Sequence, residues 1–177
     1  MNRADRRHIT GLTVLVLPAE WHCVEAAYAT LPRIHYPFLD LEKVLVAHLP
    51  SQQFGAYEHG SLALWGPLNS GARRSPTPAG VYRLNWKSKS RHSTVDPDWL
   101  MTWYWNIDDP LGIAIHAYDL PGRPASHSCI RLLDRDARWL YDWGEPGVPV
   151  YVIGQYDFQS PPPWRDPGWW RQGVELQ

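Results

Sequence analysis

The residues of this chain that can do covalent chemistry are Cys129 and the histidines near it. They fall in Ile113-Ala114-Ile115-His116, a Gly- and Pro-bearing stretch over 117–125, and Ser126-His127-Ser128-Cys129-Ile130-Arg131-Leu132. A thiol attacks a carbonyl as thiolate, so it needs an imidazole or another positive group to bring its pKa down from about 8.5. His127 stands two residues before Cys129, and an extended backbone turns both side chains to one face. His116 ends a strand-like run, and the stretch that follows is long enough to fold back on the thiol. Spacing alone leaves both histidines open, beside the plainer alternative of a buried thiol with unrelated imidazoles nearby. A metal fits less well, because Cys-His-His lacks a fourth ligand and no Cys-x-x-Cys or His-x-x-x-His pair supplies one.

The elements that must position these groups read as short strands. Val44, Val46 and His48 alternate with Leu45, Ala47 and Leu49, as in a half-buried strand closed by Pro50. A hairpin follows, with 54–57 and 61–65 flanking a turn at Glu58-His59-Gly60. Residues 66–80, with Pro67, Asn69, Gly71, Pro76 and Pro78, read as a surface loop. Strands are predicted again over 81–86, 101–107, 112–116 and 148–153. One helix is signalled, with Asp134 as cap, Leu133, Ala137, Leu140 and Tyr141 at helical spacing, and Gly144 as stop. The sum is a mainly β barrel or sandwich with one short helix after Cys129. Strand alternation aims Trp103 and Trp105 to one side, either into the core or as a platform for a ligand.

Ser126-His127-Ser128-Cys129-Ile130-Arg131, preceded by a strand ending in His116, resembles the signature of the YkuD-type L,D-transpeptidases. Lys43-Val44-Leu45-Val46 with Gln53, Tyr57 and Gly60 is similar to that family's opening strands. Ser75-Pro76-Thr77-Pro78-Ala79-Gly80-Val81-Tyr82 is similar to its Thr-Pro-x-Gly-x-Tyr/Phe element, so the resemblance covers about 43–154. It implies a cysteine acyltransferase acting on peptidoglycan stem peptides without metal or organic cofactor. Cys129 would attack the bond between the third stem residue and the terminal D-alanine, and His116, oriented by the Ala117 carbonyl, would be the base. His127 would shape the site, backbone N–H groups around Ser128 and Cys129 would form the oxyanion hole, and Arg131, with Ser126 nearby, would hold substrate; the alternative for Arg131 is bracing Asp134 or Asp136. The chain departs from the family pattern at Ser128 and Ala117, where Gly is usual, and in a short, Pro-stiffened loop between His116 and Ser126. A hydrolase on the same bond, housekeeping or delivered as a toxin, and a silent wall-binding module with this fold are the competing readings.

Composition bounds the rest. A chain of 177 residues with 44% apolar residues, 17 Pro and 11 Trp makes one domain of many short segments. A net charge of −1 argues against a nucleic-acid binder. Arg3, Arg6 and Arg7, the apolar run over 9–17 and Ala27-Tyr28-Ala29 have the order of a secretory leader; a strand over 12–17 and a helix over 20–31 are the alternative. The apolar run is too short to span a bilayer, which takes about 20 residues. The expected organisation is a leader over 1–29, a catalytic domain over 30–157 and a Pro/Trp-rich tail over 158–177, acting in the periplasm as a monomer. Removal of the leader takes Cys23 with it and leaves Cys129 unpaired in an oxidising compartment, where a free thiol demands a reason.

Overall fold

The computed structural model describes residues 3–9, 17–18, 20–23 and 25–159. Lys43–His48 (β1), Gln53–Glu58 (β2) and Ser61–Asn69 (β3) form an antiparallel meander. Its hairpin closes through two residues, His59 at φ 43° and Gly60 at φ 74°, tighter than the three-residue turn expected. A Cβ on Gly60 would lie 2.9 Å from the His35 carbonyl oxygen, so the turn requires glycine twice over. β3 also runs on through Gly66 and Pro67 to Asn69, where a loop was expected. Pro67 is tolerated because it stands opposite Gln53, where the β2 ladder ends, and Leu68 N donates to Gln52 O at 2.9 Å.

Gly80–Arg83 (β4), Lys87–His92 (β5), Leu100–Asp108 (β6), Ile113–Ala117 (β7), Ile130–Leu132 (β8), the helix Asp134–Trp143 (α1) and Pro149–Ile153 (β9) complete the fold. The strands form one curled sheet in the order β4-β9-β1-β2-β3-β8-β7-β6-β5, with β1·β9 and β7·β8 parallel and the rest antiparallel. The strand expected over 81–86 ends at Arg83, and Lys87-Ser88-Lys89-Ser90-Arg91-His92 pairs with β6 at the sheet edge although it carries no aliphatic residue.

Leu45, Phe54, Leu68, Trp105, Ile115, Leu132 and Leu140 meet in the main core, which α1 closes with Ala137 and Leu140. α1 has Leu133, not Asp134, at its N-cap; Asp134 and Asp136 sit in the first turn, where negative charge suits the helix dipole. Gly144 ends the helix at φ −73°, and glycine is required there by close approach rather than handedness: a Cβ would lie 2.7 Å from Leu84 Cδ1. The alternation in β1 holds, but both faces are covered. Val44 and Val46 pack with Phe38 and Tyr57 in a second cluster, and Tyr57 donates to Pro32 O at 2.9 Å. Burial pushes the Tyr57 phenol up to about 12.

Near the N-terminus, Ala4 bridges Pro121, Asp5 N donates to Leu120 O at 2.8 Å, and Leu120 N donates to Asp5 Oδ2 at 2.7 Å. The 3–9 segment therefore clasps the loop after β7. Of the helix expected over 20–31, a short 3-10 turn over Glu25–Tyr28 is formed. Most of the apolar run at 10–16, and the tail with Trp164, Trp169 and Trp170, lie outside the described residues. No helix among the described residues is long and apolar enough to cross a membrane.

Candidate functional site

The site is built by the parallel pairing of β7 and β8, in which Ile115 faces Ile130, His116 faces Arg131 and Ala117 faces Leu132. Ile113, Ile115, Ala117, Ile130 and Leu132 turn into the core. The pleat therefore puts Ala114, His116 and Arg131 on the opposite face, together with Cys129, which immediately precedes β8. His116, Cys129 and Arg131 line one cavity of about 380 Å³, which Trp86, Arg91 and Tyr104 also line.

His116 is 4% exposed, and its Nδ1 lies 3.0 Å from Ala117 O. A carbonyl only accepts, so Nδ1 carries the proton and Nε2 keeps its lone pair. Burial lowers the imidazole pKa to about 4 against the opposing Ala117 bond, with Arg131 lowering it further, so the ring is neutral at pH 7. The Cys129 thiol is half-buried with Sγ 3.7 Å from Gly112 O. Burial raises its pKa against the opposing influence of the Ala114 backbone and Arg131. The resting pair is thus a neutral thiol and a neutral imidazole, an arrangement suited to proton transfer during attack rather than to a standing ion pair.

Rings and guanidinium groups continue outward from His116. Tyr104 stacks on the imidazole, with centroids 6.3 Å apart at 17°, and Tyr118 meets it edge-on at 6.1 Å. Arg91 lies 5.2 Å from the Tyr104 ring and Arg131 lies 4.5 Å from the Tyr118 ring. Arg131 does not brace Asp134 or Asp136: Asp134 accepts from Trp103 Nε1 at 3.0 Å, and Asp136 pairs with Arg135 at 3.1 Å.

The turn before Cys129 is held from below. Ser126 Oγ donates to Cys129 O, and Ala72 N donates to Ser126 O at 2.9 Å. Thr77 Oγ1 donates to Ser128 O at 2.8 Å and accepts from Gly71 N at 2.9 Å. A Cβ on Gly71 would lie 2.1 Å from Ser75 O, so only glycine fits this cradle. Ser128 sits at φ 75°, the left-handed region that glycine adopts without strain. Residues 70–77 are thus a brace for the thiol-bearing turn; Thr77 and Gly71 were not singled out from sequence as functional, although both lie in or beside the Pro-rich element.

His127 is exposed and sits against Trp99, centroids 5.2 Å apart, at the cavity mouth. Trp103 and Trp105 form no platform. Trp105 is fully buried and donates to Leu140 O at 3.3 Å, while Trp103, at φ 53° in a register shift between β6 and β7, packs on Tyr141. That irregularity and the alternation around it leave Tyr104 and Met101 to face the cavity. Buried Asn106 accepts from Asn85 Nδ2 at 2.8 Å, and Asp119 acts electrostatically on Arg131.

The curled, mostly β sheet, with one α-helix among the described residues, is the fold of solved L,D-transpeptidases. One from Stackebrandtia nassauensis superposes with a TM-score of 0.60 at 22% identity, over 65% of this chain and 57% of that one. Another, solved in complex with imipenem, gives 0.58 at 19% identity, over 63% and 59%. At these identities the likeness is one of fold. A third, from Mycobacterium tuberculosis, gives 0.57 at 25% identity, over 64% and 58%, so the chain spans under two thirds of these relatives' length. The YkuD family, the L,D-transpeptidase catalytic domain, matches residues 42–152, and the chain belongs to it. No curated protein matches the sequence.

Proposed function

We propose that the protein is a peptidoglycan-modifying cysteine acyltransferase of the cell envelope, with 30–157 as its catalytic unit and 1–29 as an export leader. The observation that carries the reading is the pair His116, on β7, and Cys129, immediately before the adjoining β8, in one cavity, with Nδ1 committed to Ala117 O. His116 Nε2 takes the thiol proton as Sγ bonds to the carbonyl carbon between the third stem residue and D-alanine. The developing oxyanion lies on the backbone N–H groups of Ser128 and Cys129, worth on the order of 3 kcal/mol per donor. The imidazolium returns its proton to the leaving amine, the C–N bond breaks, and D-alanine departs from a thioester. An incoming amine then attacks the thioester, giving up a proton to His116 and restoring the thiol.

The test is mass analysis of tetrapeptide muropeptides incubated with wild-type, Cys129→Ala and His116→Ala proteins. D-alanine release that needs both residues is expected; undiminished release by Cys129→Ala overturns the mechanism. New dimers identify transfer to an amine, and tripeptide alone identifies transfer to water. A carbapenem is expected to add its mass at Cys129; addition at Cys23 refutes the assignment.

A further inference from the structure

Along the cavity the side chains run Arg91, Tyr104, His116, Tyr118, Arg131, so the imidazole lies between two tyrosine rings and each ring carries a guanidinium. Arg91 is also 5.2 Å from the Trp86 ring, and Trp86 is fixed in turn by donating Nε1 to Asp109 Oδ1 at 3.1 Å. The Trp86 and Tyr104 rings are themselves 5.2 Å apart, so the Arg91 guanidinium lies over the ring pair, which positions it while leaving N–H groups free. Among the described residues no carboxylate lies within ion-pair distance of either arginine. Arg131 Nε is buried without a hydrogen-bond partner.

Two half-buried guanidinium groups, set on either side of one imidazole, with no carboxylate in ion-pair contact and only Arg131 under the longer-range influence of one, Asp119, are a complement for two anionic groups on one ligand. Arg131 adjoins the thiol through β8. Arg91 reaches the same cavity from β5, which β6 and β7 separate from β8 in the sheet, so the anion it meets is not the one beside Arg131. We propose that Arg91 is a second carboxylate-binding residue, selecting acyl donors that carry a free side-chain carboxylate on the residue whose carbonyl is attacked over donors in which that group is a carboxamide. The selection rests on the acyl-transfer reading above. A carboxamide offers no charge and presents an N–H₂ where a fork of N–H donors needs an acceptor.

The test uses two tetrapeptides that differ only in whether the third residue's side chain ends in carboxylate or carboxamide. Binding is measured by calorimetry on the full chain carrying Cys129→Ala, so it does not depend on turnover. The carboxylate peptide is expected to bind about 10-fold or more tightly than the carboxamide, as for one charge-assisted contact in a partly solvated site. Adding Arg91→Gln should bring the two affinities together, Arg91→Lys should restore part of the gap, and the gap should shrink with rising salt. In the active protein the same preference should be carried by KM rather than kcat. Equal affinities before mutation, or a gap that survives Arg91→Gln, overturn the proposal. If D-alanine release fails while the Arg91-dependent gap stands, the acyl-transfer reading is wrong and the anion site remains.

Discussion

His116 ties the state of the site to the stability of the whole domain. In an unfolded chain its imidazole titrates near 6.5; in the fold, burial takes it to about 4. Between those values the unfolded state binds a proton that the native state refuses, so stability is lost as pH falls through that window and is intact above it. Each unit is worth about 1.4 kcal/mol, so the full gap is about 3–4 kcal/mol, of which about 2–3 kcal/mol is expressed at about pH 4.5. Replacing His116 by Gln removes the titration while keeping a polar side chain. The assay is urea unfolding of both proteins at about pH 7 and pH 4.5, with the quantity of interest the difference between their pH sensitivities. Wild type should lose about 2.5 kcal/mol more than the variant. His48, whose pKa burial and Arg3 also lower, contributes equally to both proteins and cancels. A difference below about 0.5 kcal/mol would refute the claim that the imidazole is held neutral by burial.

The same depressed pKa places the acid limb of kcat/KM near pH 4 instead of 6.5, so D-alanine release should stay level from pH 7 down to about 5, as a pH-rate profile would show. Ser128→Gly should relieve left-handed strain worth roughly 1 kcal/mol, partly offset by the lost 3.3 Å contact to Ser75 O; the melting temperature should rise by about 2 °C. Gly144→Ala should destabilise by about 1–3 kcal/mol in denaturant unfolding, because the new methyl meets Leu84 and the Leu140 carbonyl. Asp5→Ala leaves Leu120 N without its acceptor, and the Leu120 amide should exchange with deuterium faster by about 10-fold or more.

Much of the sheet was legible because its strands are rich in aliphatic residues: β9 alternates as its burial does, β1 and β7 are apolar runs covered on both faces, and the isolated helical pattern at 133–141 marks α1. β5 was not legible because a run of Lys, Ser, Arg and His has no apolar period; β6 confers its strand state. β3 was cut short because Gly and Pro read as breakers, whereas Gly66 packs under Phe54 and Pro67 stands at a ladder end. The thiol and its histidines were visible by residue type and spacing. The rest of the cavity's lining was not, since the irregularity at Trp103 reverses which aromatics face inward, and Arg91 enters from a strand with no apolar period that is held by its pairing with β6. Ser128 marked a departure whose physical meaning, a strained φ held by Thr77, needed the fold.

The clasp between Ala4, Asp5 and the Leu120-Pro121 loop is an intramolecular contact only while the chain between them is continuous. Burial pushes the Asp5 carboxyl up, but the hydrogen bonds from Leu120 N and His8 outweigh it and hold it below the ordinary carboxylate value. Tethering supplies the segment at an effective concentration on the order of millimolar. A cut after Ala29, or anywhere between the clasp and β1, turns the same contact into a bimolecular one, and so few bonds cannot survive dilution. The loop joining His116 to Cys129 would then be released from one of its supports. Processing of the N-terminus thus becomes a change in the concentration of a ligand for the loop that frames the cavity.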